Sequence, residues 1–362
     1  SWFYLWSAKF SFVYIIFCFF GFFFVCFFIF TDSSGLIFTN ADLRNLFRSG
    51  ALDLNILRCF LRNRNVCPSP YLTYILHTPK SSRSGVVLNI NNPLTLYQGG
   101  FNKHRESVFI IHGFNGTASD KHLQYLRDAY LSRDFNVIAV DWSPLTRYPC
   151  YLHSLINTRV TSQCTAQVYA FLTHHGARRE NITCVGHSLG AHICGMISTY
   201  LSKKQYRIIG LDPARPLIER KKSHMFRLSR DDAKFIQVVH TNAGFLGQEG
   251  NSGNLNYCVN GGRVQPYCRG NPIRRSRCSH FLSICYLASA IFKHKRFLGI
   301  PCPGGCPDIS AHKRLPVSGN NPFGVITQIK EYYLGNDAPD ELEGCFCIDV
   351  PFAKHCPFGD IT

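Results

Sequence analysis

The stretch Cys184-Val185-Gly186-His187-Ser188-Leu189-Gly190-Ala191 decides how the chain is read. It has the spacing Gly-x-Ser-x-Gly. An apolar run, Ile182 to Val185, precedes it, and an apolar helical pattern, Ala191 to Leu201, follows it. Strand, sharp turn and helix in that order is the context of a nucleophile elbow. Such a turn strains the serine backbone, so Gly186 and Gly190 leave room where a Cβ would clash. Ser188 Oγ then stands exposed above a sheet. The backbone N–H of Leu189 opens the helix and points where an oxyanion would form. The competing reading is an ordinary glycine-rich turn, and the flanks favour the elbow.

Working outward, Ser107 to Ile111 reads as a short buried strand, and His112-Gly113-Phe114-Asn115-Gly116 as the loop after it. A helix is predicted from Ser119 or Asp120 to about Leu131, then a strand from Asn136 to Val140 that ends at Asp141-Trp142. A long helix, Tyr151 to His174, leads into the nucleophile strand. Tyr71 to His77, Val86 to Ile90, Arg207 to Leu211 and Phe235 to His240 also read as strands. Short apolar strands alternating with amphipathic helices predict an α/β fold, a mostly parallel sheet with helices on both faces. In such sheets the chemistry sits at the carboxyl ends of the strands. Ser188, the His112-Gly113-Phe114 loop and Asp212 all fall at such ends.

A serine hydroxyl is a weak nucleophile at neutral pH. It needs a base within hydrogen-bond reach, and the base needs an orienting carboxylate. In this fold the chain order is serine, acid, histidine. Downstream of Ser188 the next strand closes on Gly210-Leu211-Asp212-Pro213-Ala214, so Asp212 projects at the active edge. Asp231 and Asp232 stand in a polar, Arg-rich stretch and read as solvated surface, while Asp141 precedes the serine. For the base, His224, His240 and His280 all follow Asp212. His224 lies among lysines, His240 ends a strand, and His280 follows Cys278-Ser279 and opens an apolar helix, Phe281 to Phe292. Residue chemistry alone leaves His240 and His280 both open.

The 362 residues are 46% hydrophobic, enough for one large core. Net charge is +17, which suits anionic partners such as acidic lipid surfaces or sulfated polysaccharides. No nucleic-acid-binding motif accompanies the dispersed Arg and Lys, so nucleic acid is not an expected partner. Seventeen cysteines point to an oxidising compartment. Two sequons, at Asn115 and Asn181, permit N-glycosylation there. Ser11 to Phe30 carries no charge and ten Phe, and reads as a secretory signal or a signal anchor. The expected organisation is residues 1–35 as signal or anchor, 36–66 as an extension with one amphipathic helix around Ala41 to Leu61, and 67–362 as the α/β domain.

Several motifs resemble the animal pancreatic-lipase family of α/β-hydrolases. They are Ile110-Ile111-His112-Gly113-Phe114, Val185 to His192, Gly210 to Ala214, Tyr257-Cys258-Val259-Asn260-Gly261-Gly262, and Cys278-Ser279-His280. The likeness runs from about Cys67 to Cys347. It departs from the family pattern at Cys258, Val259 and Leu282. The resemblance implies a triad of Ser188, Asp212 and His280, an oxyanion hole from the N–H groups of Phe114 and Leu189, and no metal or organic cofactor. It also implies a lid closed by Cys268 and Cys278, and a Cys302–Cys306 disulfide. The lid holds only nine residues, four of them Arg, which is similar to the secreted phospholipase A1 branch of insects and venoms. The 56 residues after Cys306 are too few for the β-sandwich of pancreatic lipases, which points the same way. Cys258–Cys285 is a further candidate bridge, and Cys184 and Cys194 read as free core thiols. The expected activity is hydrolysis of the sn-1 ester of phospholipid at a membrane or micelle surface by a secreted enzyme. The alternatives are a neutral-lipid lipase and a non-catalytic, yolk-type lipid-binding protein.

Overall fold

The computed structural model describes residues 13–15, 28–30, 66–81, 84–219, 226–302, 304–306, 329–351 and 356–357. The leader reading of 11–30 falls outside them except for β1 (Val13–Ile15) and β2 (Phe28–Phe30), which pair antiparallel. The helix expected in 41–61, and His224, also fall outside. Among the described residues no helix is long and apolar enough to cross a membrane.

The main sheet is laid down in chain order by β3 (Thr73–His77), β4 (Val86–Val87), β5 (Ser107–Ile111), β6 (Asn136–Asp141), β7 (Ile182–His187), β8 (Gln205–Leu211), β9 (Ala233–His240), β10 (Leu255–Val259), β11 (Arg296–Pro301), β12 (Lys330–Tyr333) and β13 (Gly344–Ile348). Its spatial order is β12-β11-β13-β10-β9-β8-β7-β5-β6-β3-β4. The run from β13 to β6 is parallel throughout, and β11, β12, β3 and β4 close the two edges antiparallel. Five helices are described: α1 (Leu94–Gln98), α2 (Lys121–Ser132), α3 (Tyr151–His174), α4 (Leu189–Ile197) and α5 (Pro272–Lys293). This is the α/β-hydrolase arrangement.

Both faces of the central strands are buried, and strand periodicity sorts their side chains. Phe109, Ile111, Cys184, Ile208 and Ile236 face α3 and α4. Val108, Ile110, Val185, Ile209 and Phe235 face α2 and α5. Helix α3 is buried around much of its girth although it carries many Ser and Thr. Their hydroxyls bond back to carbonyls of the preceding turn, Thr161 to Asn157 at 2.9 Å, Ser162 to Thr158 at 2.7 Å and Thr165 to Thr161 at 2.7 Å. That removes the cost of burying them unpaired.

Four expectations are corrected. Helix α5 begins at Pro272, nine residues before Phe281. Asn271 caps it by accepting the Arg274 N–H at 2.9 Å, so most of the expected lid loop is its first turns. Cys184 and Cys194 are joined, not free thiols, because the turn after β7 folds α4 back until their Cα atoms are 5.8 Å apart. Cys302 bonds Cys347 and Cys306 bonds Cys258, in place of Cys302–Cys306. The register explains this: β11 lies against β13 with Ile300 opposite Cys347, which carries Cys302 to that strand. Cys285 bonds Cys356, not Cys258. Cys268–Cys278 and Cys67–Cys164 are also bonded.

Candidate active site

Strand β7 ends at His187, and Ser188 turns the chain into α4 with φ 56° and ψ −118°. This left-handed strain is held by backbone: the Ser188 N–H donates to Leu211 O at 3.0 Å, and its carbonyl accepts from Ala191 and Ala214, each at 3.2 Å. The glycines have their reason here. A Cβ on Gly186 would meet the Gly190 carbonyl, and one on Gly190 would meet the Ile111 carbonyl. Gly113 passes so close that a Cβ there would lie 2.7 Å from Ser188 Cβ.

Asp212 follows β8 and is fully buried. Its Oδ1 accepts the backbone N–H groups of Thr241 and Asn242, each at 2.9 Å. Its Oδ2 takes the Nδ1–H of His280 at 2.5 Å. The carboxylate is thus fully employed in a site that water does not reach, and one of its partners is a histidine. His280 sits in the third turn of α5. The adjacent Ser279 Oγ, donating to Arg275 O at 2.8 Å and accepting from Gln265 N–H at 2.9 Å, ties that turn to the neighbouring loop.

Ser188 and His280 open into one cavity of about 380 Å³, within the range of small-molecule sites. Its wall includes His112, Gly113 and Phe114 after β5, His122 and Leu123 of α2, Tyr148 and Tyr151, Leu246, and Phe281 beside the base. The Ser188 hydroxyl makes no hydrogen bond to His280 in this arrangement. In unliganded sites such contacts commonly close only around substrate. Leu189 is the first residue of α4, where backbone N–H groups lack acceptors within the helix. Phe114 is held edge-on to Tyr151, with ring centroids 5.1 Å apart.

Other titratable groups lie nearby or deeper in the fold. His240 is fully buried, with Nδ1 3.1 Å from Gln248 O and Nε2 3.5 Å from Asn256 Oδ1; burial pushes its pKa down, and the neutral ring donates to one of these two oxygens. Asp141 accepts from Ser143 N–H at 2.9 Å and Ala118 N–H at 3.1 Å. Burial would raise its carboxyl, but the hydrogen bonds it accepts, Ser143's among them, hold it below the usual range. Trp142 N–H donates to His112 Nε2 at 3.1 Å, so the His112 proton is on Nδ1, which donates to Gly113 O at 2.9 Å. Asp232 is not the solvated group expected. It is partly buried, accepts from Ser229 N–H at 2.8 Å, and burial raises its pKa to about 6.

Of the lid residues, Ile273 and Arg277 line the cavity, and Arg269, Arg274 and Arg275 are exposed to solvent. Asn115 is exposed at the mouth and Asn181 is half-buried before β7. The wall residues His122, Tyr148, Tyr151, Leu246 and Phe281 were not anticipated. They come from four separate segments and carry no shared motif.

Comparison with known proteins agrees with this arrangement. A family model described as Lipase matches residues 62–306. Lipase member H-A of Xenopus laevis is 33% identical over 259 residues, covering 67% of this chain and 55% of that protein. Pancreatic lipase-related protein 2 of Sus scrofa is 31% identical, covering 63% and 53% respectively. Phospholipase A1 of Vespula maculifrons is 34% identical over 212 residues, covering 54% of this chain and 69% of that protein. The chain spans about half the length of the first two relatives. With more than half of its residues matched by the family model, this chain belongs to the Lipase family.

Proposed function

We propose that this chain is a secreted serine esterase that hydrolyses lipid esters through an acyl-enzyme, with the sn-1 ester of phospholipid as its preferred substrate. One observation carries the reading: Ser188 in the strained elbow conformation shares a cavity with His280, whose Nδ1 is bonded to buried Asp212.

Ser188 Oγ attacks the ester carbonyl while His280 Nε2 takes its proton. Asp212 orients the ring and stabilises the imidazolium. The tetrahedral oxyanion is stabilised by the N–H groups of Leu189 and Phe114, each donor worth about 3 kcal/mol. His280 returns the proton to the departing alcohol. Water, activated by the same ring, then attacks the acyl-serine and frees the fatty acid.

Membership of the Lipase family supports a lipid ester as substrate. The likeness to Vespula phospholipase A1 and the Arg277 side chain at the cavity support phospholipid, since guanidinium pairs well with phosphate. The disulfides support an oxidising, extracellular setting. The test is fatty-acid release by the full chain from phospholipid with distinct sn-1 and sn-2 chains, and from a triglyceride emulsion. Release of the sn-1 chain, lost in Ser188→Ala, is expected. Triglyceride cleavage in its place would overturn the substrate assignment, and release by Ser188→Ala would overturn the mechanism.

A further inference from the structure

His187 is the last residue of β7 and the neighbour of Ser188 in the chain. Its ring is 3% exposed and lines the cavity, yet the reaction described above gives it no part. Three contacts hold it. Nε2 lies 3.1 Å from the backbone carbonyl oxygen of His280. The ring stacks on Phe281 with centroids 5.0 Å apart and planes 28° apart. It leans on the His280 ring at 4.5 Å and 50°. A carbonyl only accepts, so Nε2 carries the proton and Nδ1 is bare. Nδ1 faces Gly113, where a Cβ would come within 3.3 Å of it. Burial, and then the neighbouring His280, push the His187 pKa well down, so the ring stays neutral while the His280 imidazolium forms.

We infer that His187 is a positioning residue for the proposed reaction: its Nε2–H bond to the His280 carbonyl sets the distance between the elbow and α5, and so the reach of the base to Ser188 Oγ. The inference rests on the reading of Ser188 and His280 given above. Asp212 fixes the rotation of the His280 ring from its Nδ1 side. It does not fix where the main chain of α5 stands relative to the nucleophile. His187 is adjacent to the nucleophile and bonded to the base's own peptide group, so it couples the two at the shortest link available. An error of about 1 Å at that link would cost on the order of 10²-fold in rate.

The alternative is that the ring only fills space against Phe281, and two substitutions separate the roles. His187→Gln keeps an N–H donor at a similar reach and loses the ring. His187→Phe keeps the ring and loses the donor. With a soluble short-chain ester, His187→Phe is expected to lower kcat by roughly 10- to 100-fold with KM within about twofold, while His187→Gln recovers most of the loss. A Phe variant as active as wild type, a Gln variant no better than Phe, or a loss confined to KM would each overturn the inference. If neither variant folds, nitrogen-15 histidine spectra of the wild type decide. Near neutral pH His187 must carry its proton on Nε2, and a neutral Nδ1–H tautomer overturns the proposed bond. Wild-type protein that turns over no ester would remove the hydrolase reading itself. An active wild type with an indifferent Phe variant would remove this inference alone.

Discussion

Asp212 is walled in by backbone, and Gly247 is the wall's closest panel. A Cβ on Gly247 would run into the Asp212 carboxylate. Nothing flexible stands there to give way, so Gly247→Ala must push the acid off His280 or push its own loop outward. We expect kcat on a short-chain ester to fall at least about tenfold with KM little changed, and stability to fall by about 1–3 kcal/mol. Ester kinetics and thermal unfolding check this; unchanged kcat would mean the loop moves and the acid does not. At this scale part of the site was legible and part was not. Ser188 and Asp212 carry their own signals, since glycine flanks and a strand end lie within a few residues of each. The histidine carries none. His280 meets Asp212 across 68 residues, through the docking of α5, and His240 has an equally good local context. Only the resemblance separates them, and in the structure His240 lies against Gln248 and Asn256 and does not line the cavity.

Helix α5 joins two tasks in one element. Its third turn holds His280, and its first turns bring Ile273 and Arg277 to the cavity wall. These first turns form a fixed ledge. Asn271 caps it, Cys268–Cys278 pins its base, and Ser276 Oγ donates to Asn242 at 2.7 Å. The Asn271-Pro272 pair is a helix-start signal in its own right, at odds with a loop over the same stretch. Strands β10 to β13 were not anticipated either. Strand β13 returns from far along the chain to lie between β10 and β11, and no local periodicity encodes such an insertion. The ledge yields a prediction. Replacing Arg269, Arg274, Arg275 and Arg277 with Gln removes four cations from this stretch and leaves Ser188, Asp212 and His280 untouched. Hydrolysis of anionic liposomes should fall several-fold and lose much of its salt dependence, while short-chain ester turnover changes less than twofold. Comparing both substrates across a salt series checks it. Equal loss on both would leave the charges with a structural role only.

Across the whole molecule, the buried histidines set how stability responds to acid. His192 ties the elbow helix to its surroundings: Leu228 N–H donates to its Nδ1 at 3.0 Å, and its Nε2–H donates to Ala214 O at 2.9 Å. Protonating Nδ1 would break the first bond. Burial lowers the pKa of His192 to about 4, and burial with nearby Arg127 lowers that of His77 to about 4 as well. For such groups the stabilisation is complete above the unfolded value near 6.5 and is lost as pH falls through about 4. Asp232 has the opposite sign. Burial raises its pKa to about 6, so its contribution is present below the unfolded value and is lost as pH rises through about 6. Between about pH 4 and 6 the unfolded chain therefore takes up two protons that native His77 and His192 refuse, and gives up one that native Asp232 keeps. For these three groups the net of one proton makes stability fall by about 1.4 kcal/mol per pH unit on acidification. His187 and His240, also lowered by burial, steepen the slope. Denaturant unfolding at pH 6.5, 5.5 and 4.5 measures it directly. A flat profile would mean that the histidines open to water before they charge. In His192→Gln, which cannot protonate, the slope should shrink by about one proton's worth, because His192 sits at the back of the elbow and contributes nothing else that titrates there.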